Sequence, residues 1–153
     1  KAIIPGMEEP FATWRAYLAV VVAWVAAQLI KVIRNMVRAR RFNFRWIIDT
    51  GGMPSSHSSG TASLATVVGL YSGFHSILFL LAFAFAIVTM FDAASVRRSV
   101  GKQAILMNRM IDEMSAGGKF PEQRMREFLG HTPVEVVVGA FLGIVISIFI
   151  CGL

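Results

Sequence analysis

The sequence is poor in charged residues and nearly free of cysteine. Only 16% of its 153 residues are charged, whereas 56% are hydrophobic and the mean hydropathy is +0.63. Soluble globular domains carry about 25% charged residues, so this composition excludes an ordinary soluble domain and indicates an integral membrane protein. The single cysteine, Cys151, excludes an internal disulfide.

Acidic residues are scarcer than basic ones. The chain has 9 Asp and Glu residues against 15 Lys and Arg residues, which gives a formal net charge of +6. The basic residues are concentrated in residues 31–45 and 97–126. Such clusters suit anionic lipid headgroups as well as nucleic acid, but the apolar segments beside them favour lipid. We therefore expect the bilayer and a phosphorylated membrane lipid as partners, and no nucleic acid.

Four apolar stretches predict membrane-spanning helices, at residues 11–33, 60–73, 77–90 and 134–153. At ~1.5 Å per residue, the first is long enough to cross ~30 Å of hydrocarbon. The second is rich in Ala, Ser, Thr and Gly, which is typical of a helix that packs against other helices rather than against lipid. We expect one all-α domain over residues 1–153, a membrane bundle of about four transmembrane helices with an irregular lead-in at residues 1–10.

The basic segments predict the orientation of the bundle. In residues 93–118, apolar positions recur at helical spacing among charged ones, which predicts an amphipathic helix, and residues 121–129 read as a short polar helix. With four spans, both basic connections fall on one side, which the positive-inside rule assigns to the cytoplasm. The chain is thus predicted to be a multi-pass membrane protein whose polar motifs meet at the cytoplasmic face.

Residues 49–60 read DTGGMPSSHSSG and lie between two strongly apolar regions. The Gly-Gly pair lets the backbone approach a ligand closely, and Pro54 can begin a helix whose free N–H groups and positive dipole attract phosphate. His57 would then stand in the first turn of that helix. The segment is therefore predicted to hold an anionic group beside a histidine.

A second histidine, His131, precedes the last apolar stretch, and Glu135 lies one helical turn after it. The carboxylate can accept the Nδ1–H of the ring, which raises the basicity of Nε2, as a histidine nucleophile or base requires. His57 could protonate a leaving alkoxide from across the pocket. Basic side chains would neutralise the phosphoryl oxygens. The candidates are Lys31, Arg38 and either Arg124 or Arg126.

These residues resemble the type 2 phosphatidic acid phosphatase and vanadium haloperoxidase superfamily, in particular its small divergent membrane branch. The superfamily's first motif is Lys, six residues, Arg-Pro. It matches Lys31 and Arg38, with Ala39 in place of the proline. The second motif, Pro-Ser-Gly-His, matches residues 54–57, with Ser56 in place of the glycine.

The third motif of the superfamily is Ser-Arg, five residues, His, three residues, Asp. His131 and Glu135 keep its final spacing, with glutamate in place of aspartate. Arg124 lies one residue too far from His131 to match the arginine, and Met125 holds the expected place. The resemblance covers residues 31–143.

The resemblance implies a lipid phosphate phosphatase that needs no divalent metal and no cofactor. His131 would be the nucleophile that forms a phosphohistidine, Glu135 its orienting partner and His57 the general acid. The phosphate ligands would be Lys31, Arg38, Ser55, Ser56 and Arg124. Second-rank site candidates come from the DAASVRRSVGKQ segment and are Asp92, Arg97, Lys102 and Gln103. Phosphatidylglycerophosphate, phosphatidic acid and polyprenyl phosphates are all compatible substrates, and a homodimer would complete the lipid-facing packing of so small a bundle.

Other classes of function could use the same residues. A non-enzymatic lipid-phosphate binder or flippase-type protein would hold the headgroup without turnover. An intramembrane serine protease could use Ser55 or Ser56 with a histidine, although paired histidines among cations suit phosphate better than a peptide bond. A haloperoxidase is disfavoured because the sequence shows no evident halide site. His75 is expected to lie in a turn at the opposite surface, without a catalytic role.

Overall fold

Within the residues that the structure describes, the chain forms five α-helices and two short helical turns. The computed structural model describes residues 10–40, 42–47, 52–115 and 130–152. The elements in chain order are α1 (Pro10–Ala39), a 3₁₀ turn (Phe44–Ile47), α2 (Ser56–Ser72), α3 (Ile77–Phe91), a π-helical turn (Asp92–Val96), α4 (Arg97–Ser115) and α5 (Pro133–Cys151). No strand occurs in these segments, so the all-α prediction is confirmed. The polar helix predicted at residues 121–129 lies outside the described residues.

Three helical segments are long and apolar enough to cross a membrane: Trp14–Ala39, Ile77–Asp112 and Pro133–Cys151. The remaining predicted span, at residues 60–73, corresponds to α2, which has 17 residues and is therefore ~25 Å long. These lengths and compositions support an integral membrane protein. The first helix is longer than predicted, because it continues past residue 33 to Ala39.

The third predicted span and the amphipathic helix predicted at residues 93–118 are continuous with each other. Residues 91 and 92 remain helical, and the backbone N–H of Asp92 is within hydrogen-bond range of the carbonyls of Val88 and Thr89. No glycine or proline interrupts the segment, so the helix absorbs the change from apolar to charged sequence through a π turn instead of ending. The amphipathic helix predicted at residues 93–118 is therefore α4, joined directly to α3.

The central element is α2, which packs against α1, α3 and α5. Its buried residues are small, as the sequence predicted for a helix enclosed by other helices, and they are Ser56, Ser58, Ser59, Ala62, Ser63, Ala65, Val67 and Gly69. Against α3, the contact is made by Ala65, Ala82 and Ala86. Small side chains let these backbones approach closely, which is how helices gain packing energy where lipid already surrounds them.

The tightest contact joins α2 to α5. It consists of residues at every fourth position on each helix, namely Ser55, Ser59 and Ser63 on α2 and Gly139, Gly143 and Ser147 on α5. A Cβ atom on either glycine would collide with the backbone of α2. Ser147 Oγ lies 2.7 Å from Ser63 Oγ. Because the pairs follow the same order along both helices, α2 and α5 run parallel and begin at the same end of the bundle.

The first helix runs antiparallel to this pair. Its buried face is a stripe of Ala19, Ala23, Ala27 and Lys31. The hydroxyl of Ser59 donates to the carbonyl of Ala23 at 2.9 Å, which fixes the height of α1 against α2. The end of the bundle where α1 and α3 finish and α2 and α5 begin is called the motif end below. It holds Lys31, His57 and His131, as the charge pattern predicted.

Adding a methyl group at Gly143 should destabilise the bundle. Gly143→Ala would force α5 away from the Ser59 carbonyl, and overpacking of this kind costs about 1–3 kcal/mol. Gly60→Ala is the matched control on α2, since its Cβ would meet the Trp24 side chain at an ordinary 3.6 Å. Thermal unfolding in detergent should show a lower Tm for the first variant only. Equal Tm values for the two variants would contradict the assigned contact.

Candidate active site

The histidine of residues 54–57 lies in the first turn of α2. Ser55 is the N-cap of this helix, and its Oγ accepts the backbone N–H of Ser58 at 3.3 Å and the Ser58 hydroxyl at 3.0 Å. Pro54 therefore precedes the cap. The sequence had suggested that Pro54 would occupy the first helical position. His57 is half-buried in the first turn, as expected. The predicted phosphate ligands Ser55 and Ser56 are both buried at this helix start.

The second histidine precedes α5, which begins with a capping box. Thr132 is the N-cap, and its Oγ1 accepts the backbone N–H of Glu135 at 3.4 Å. In return, Glu135 Oε2 accepts the backbone N–H of Thr132 at 2.9 Å. Pro133 fits the first helical position, where no N–H is needed. The local sequence Thr-Pro-Val-Glu thus fixes both the start of α5 and the position of the carboxylate.

That carboxylate holds the His131 ring. Glu135 Oε2 lies 3.2 Å from His131 Nδ1, so the carboxylate accepts the Nδ1–H. The other ring nitrogen, Nε2, is not in this contact. The backbone N–H of His131 donates to the carbonyl of Ala93 in the π turn at 3.1 Å. His131 is only 3% exposed, and its Nε2 is shielded from solvent. The predicted pairing of His131 with Glu135 is confirmed.

One backbone hydrogen bond joins the two histidine segments. The N–H of Ser55 donates to the carbonyl of Glu135 at 3.1 Å. Ser55 lies two residues before His57, and Glu135 lies four residues after His131, so this bond sets the two helix starts directly against each other. The residues of the second and third motifs, far apart in sequence, therefore meet at one place.

The lysine of the first motif, Lys31, lies on α1 at the same end of the bundle. It is 1% exposed, and its Nζ donates to Gln28 Oε1 at 3.1 Å. Gln28 Nε2 in turn donates to the carbonyl of Trp46 in the 3₁₀ turn at 3.2 Å. Gly52 passes over the lysine stem, since a Cβ at Gly52 would lie 3.6 Å from Lys31 Cγ. At φ +96°, this position also favours glycine.

Comparison with known proteins identifies the family. A family model described as the divergent PAP2 family matches residues 13–146. The chain belongs to the divergent PAP2 family. It is also 37% identical over 142 residues to the uncharacterized membrane protein YuiD of Bacillus subtilis (strain 168), covering 86% of this chain and 90% of that protein. No solved structure matches.

Membership in the divergent PAP2 family confirms the resemblance that the motifs carried. Those motifs did not reveal Gln28, which anchors the lysine of the first motif. The sequence does contain a signal for it, because a glutamine inside a membrane span, one turn before a lysine, needs a polar partner. Its second partner, the Trp46 carbonyl, lies 18 residues away and could not be found by helical spacing.

Other predicted site residues of this divergent PAP2 protein are less enclosed than Lys31 and His131. Arg38 is exposed in the last turn of α1, two turns beyond Lys31, and Lys102 and Gln103 are exposed on α4. Asp92 is half-buried at the start of the π turn. The Arg97 side chain and the whole of Arg124 lie outside the described residues. In the part of the chain that is described, no three His, Cys, Asp or Glu side chains form a group that could hold a metal ion.

Replacing Gln28 with leucine should destabilise the protein. Gln28→Leu removes the hydrogen bonds to the Lys31 ammonium and the Trp46 carbonyl, and a lost bond to a buried charged group costs about 1.5–3 kcal/mol. Thermal unfolding in detergent should therefore give a lower Tm. Gln103→Leu, at an exposed position of α4, is the matched control and should leave the Tm unchanged. A wild-type Tm for Gln28→Leu would show that these bonds add nothing to stability.

Proposed function

We propose that the protein is a membrane lipid phosphate phosphatase that hydrolyses a phosphomonoester or diphosphate lipid through a phosphohistidine. The observation that carries the proposal is the pair of the buried His131 and the half-buried Glu135, joined by the Ser55–Glu135 backbone bond to the helix start that bears His57. A histidine held by a carboxylate through Nδ1 has a fixed tautomer and a more basic Nε2. Membership in the divergent PAP2 family supports the same chemistry.

In the first step, His131 Nε2 attacks the phosphorus atom. A phosphorus–nitrogen bond forms while the bond from phosphorus to the lipid oxygen breaks. The protonated His57 ring gives its proton to the leaving oxygen, so that a phosphomonoester releases an alcohol and a diphosphate releases a lipid monophosphate. The Glu135 carboxylate stabilises the positive charge that develops on the His131 ring.

In the second step, water attacks the phosphohistidine. The His57 ring, now neutral, takes the proton of the attacking water, and the phosphorus–nitrogen bond breaks to release inorganic phosphate. His57 is then protonated again and His131 Nε2 is restored. Because Nε2 is shielded from solvent, turnover needs a state in which the groups covering the ring have moved away.

The charge balance at the motif end supports an anionic substrate. Lys31 carries its charge to the same end as the two helix starts. The first turn of α2 contains no acidic residue, so the positive end of its dipole is not neutralised within the helix. By the positive-inside rule, we place this end at the cytoplasmic side of the membrane.

The same geometry bears on the other functions considered. The Ser55 hydroxyl caps α2 through two contacts with Ser58, a structural use that does not favour a serine protease. A lipid-phosphate binder without turnover would use the same cations, and it differs from the phosphatase in having no need for the His131–Glu135 pair. Turnover therefore separates these two proposals.

Purified protein should release phosphate from lipid phosphates. We expect activity in detergent on phosphatidic acid, phosphatidylglycerophosphate or a polyprenyl phosphate, with EDTA present and with inhibition by vanadate. His57→Ala and His131→Ala should each lower kcat by at least about 10²-fold, because each removes a reacting group. His75→Ala changes an exposed turn at the opposite end and serves as the control. Wild-type activity in either of the first two variants would refute the assignment.

Glu135→Gln tests the role of the carboxylate separately from the fold. Glutamine can keep the capping box of α5, so the variant should fold, but it cannot stabilise a charged His131 ring. We expect a fall in kcat of about 10⁴-fold, the effect measured when the aspartate that orients a catalytic histidine in a serine protease is changed to its amide. Phosphate release and thermal unfolding should be measured on the same preparation. A wild-type kcat with a wild-type Tm would remove Glu135 from the mechanism.

A further inference from the structure

A groove in the side of the bundle leads away from the motif end. It has a volume of about 450 Å³ and lies between α1 and α5. We call it the α1–α5 groove, and its lining residues are Ile30, Arg34, Met53, Pro54, Val138, Phe141, Leu142 and Val145. Seven of these eight side chains are apolar, and the eighth is an arginine.

A second groove of similar size provides a comparison. It has a volume of about 470 Å³, lies between α2 and α3, and is lined by Leu64, Val68, Ser72, Leu78, Leu81, Ala82 and Phe85. None of these residues is charged, and most of them belong to the end of α2 that is remote from the histidines or to the first half of α3. Size and apolar lining are therefore shared by the two grooves, whereas a cation and contact with the candidate active site belong to the α1–α5 groove alone.

The position of the α1–α5 groove connects it to the proposed chemistry. Pro54 immediately precedes the Ser55 cap, and Val138 lies one turn after Glu135. Arg34 lies one turn beyond Ile30, towards the end of α1 at the motif end. From Val138 to Val145, the groove follows α5 for about two turns, or ~10 Å, away from that end. The groove thus has a charged end towards the motif end and an apolar end deeper along the bundle.

We propose that the α1–α5 groove holds one hydrocarbon chain of the lipid phosphate substrate, with Arg34 beside the phosphorylated headgroup. The inference rests on the proposed function for the identity of the substrate. The charge supports this occupant, because an anionic phosphate matches the guanidinium at one end and a hydrocarbon chain matches the apolar remainder. The groove between α2 and α3 has no such match and takes ordinary bilayer lipid.

The energetic role of the groove differs from that of an apolar pocket in a soluble enzyme. A lipid chain is already out of water in the bilayer, so entering the groove yields no hydrophobic transfer energy, only van der Waals packing. What the groove contributes is direction and depth, since a chain lying along α5 fixes where the phosphate sits. Displacing a reacting group by about 1 Å can cost about 10²-fold in rate. The groove therefore acts by positioning, and Arg34 by selecting anionic headgroups.

Photo-crosslinking in vesicles tests the occupant of the groove. The anionic probe is a phosphonate analogue of phosphatidic acid with a diazirine on one chain, whose carbon–phosphorus bond resists hydrolysis. The neutral comparison is phosphatidylcholine with the same diazirine chain, and the vesicles are phosphatidylcholine. Mass spectrometry of the labelled peptides gives the ratio of label in the α1–α5 groove to label in the groove between α2 and α3.

We expect this ratio to be about fivefold higher for the phosphonate than for phosphatidylcholine, the effect of one arginine on an anionic headgroup. Leu142→Trp should remove the label from the α1–α5 groove by filling it, whereas Leu81→Trp, which fills the other groove, should leave that label in place. Arg34→Gln should lower the ratio for the phosphonate towards that for phosphatidylcholine. Equal ratios for the two probes on the wild-type protein would overturn the inference.

Phosphate release from phosphatidic acid, measured on the same preparations, separates this inference from the proposed function. Selective labelling without phosphate release would leave the groove as a lipid-phosphate site and refute the phosphatase. Phosphate release with unselective labelling would support the phosphatase and refute the groove. If both hold, Leu142→Trp should lower kcat/KM for a long-chain phosphatidic acid by about tenfold or more, and its kcat/KM for p-nitrophenyl phosphate should stay within about twofold of wild type.

Discussion

The close contact between α2 and α5 is the constraint on which the candidate site depends. Helices inside a bilayer gain little by hiding apolar surface from one another, so association relies on close packing and hydrogen bonds. Gly139 and Gly143 permit that closeness, and the Ser63–Ser147 contact adds a polar link deep in the pair. The same contact sets the register of the two helices, because only the glycine positions of α5 leave room for the α2 backbone. Register in turn aligns the two helix starts and makes the bond from Ser55 to the Glu135 carbonyl possible.

The buried polar groups along this contact are of two kinds. Some serve helix packing, and others need another explanation. The Ser59 and Ser147 hydroxyls reach the Ala23 carbonyl and the Ser63 hydroxyl, as helix-packing serines do. Lys31 is different, because a buried ammonium in a membrane segment is costly and is retained where it has a task. Gln28 offsets part of that cost by placing a carbonyl oxygen on Nζ. A lysine held this firmly beside Gly52 is better suited to binding an anion than to stabilising the bundle.

Sequence reasoning succeeded where the determinant is local. Glu135 stands one turn after His131, and Thr-Pro-Val-Glu is a capping sequence, so the carboxylate–imidazole pair could be predicted from spacing. The small residues of α2 likewise predicted an enclosed helix. Reasoning failed where the determinant is long-range or is a competition between two structures. The Trp46 carbonyl that accepts from Gln28 comes from another segment. The continuity of α3 with α4 was not predicted, because the change from apolar to charged sequence near residue 92 does not tell whether a helix ends or continues through a π turn.

The parallel arrangement of α2 and α5 has an electrostatic consequence that an antiparallel pair would lack. Two helix starts at one end bring two positive dipole ends together, and Lys31 adds a full charge to them. Glu135 compensates the dipole of α5 and binds His131, whereas α2 has no acidic residue in its first turn. The helix start that bears His57 therefore keeps its positive potential, whereas Glu135 neutralises the dipole beside His131. That division of charge suits the proposed reaction, in which an anion would lie over α2 while the ring before α5 attacks it.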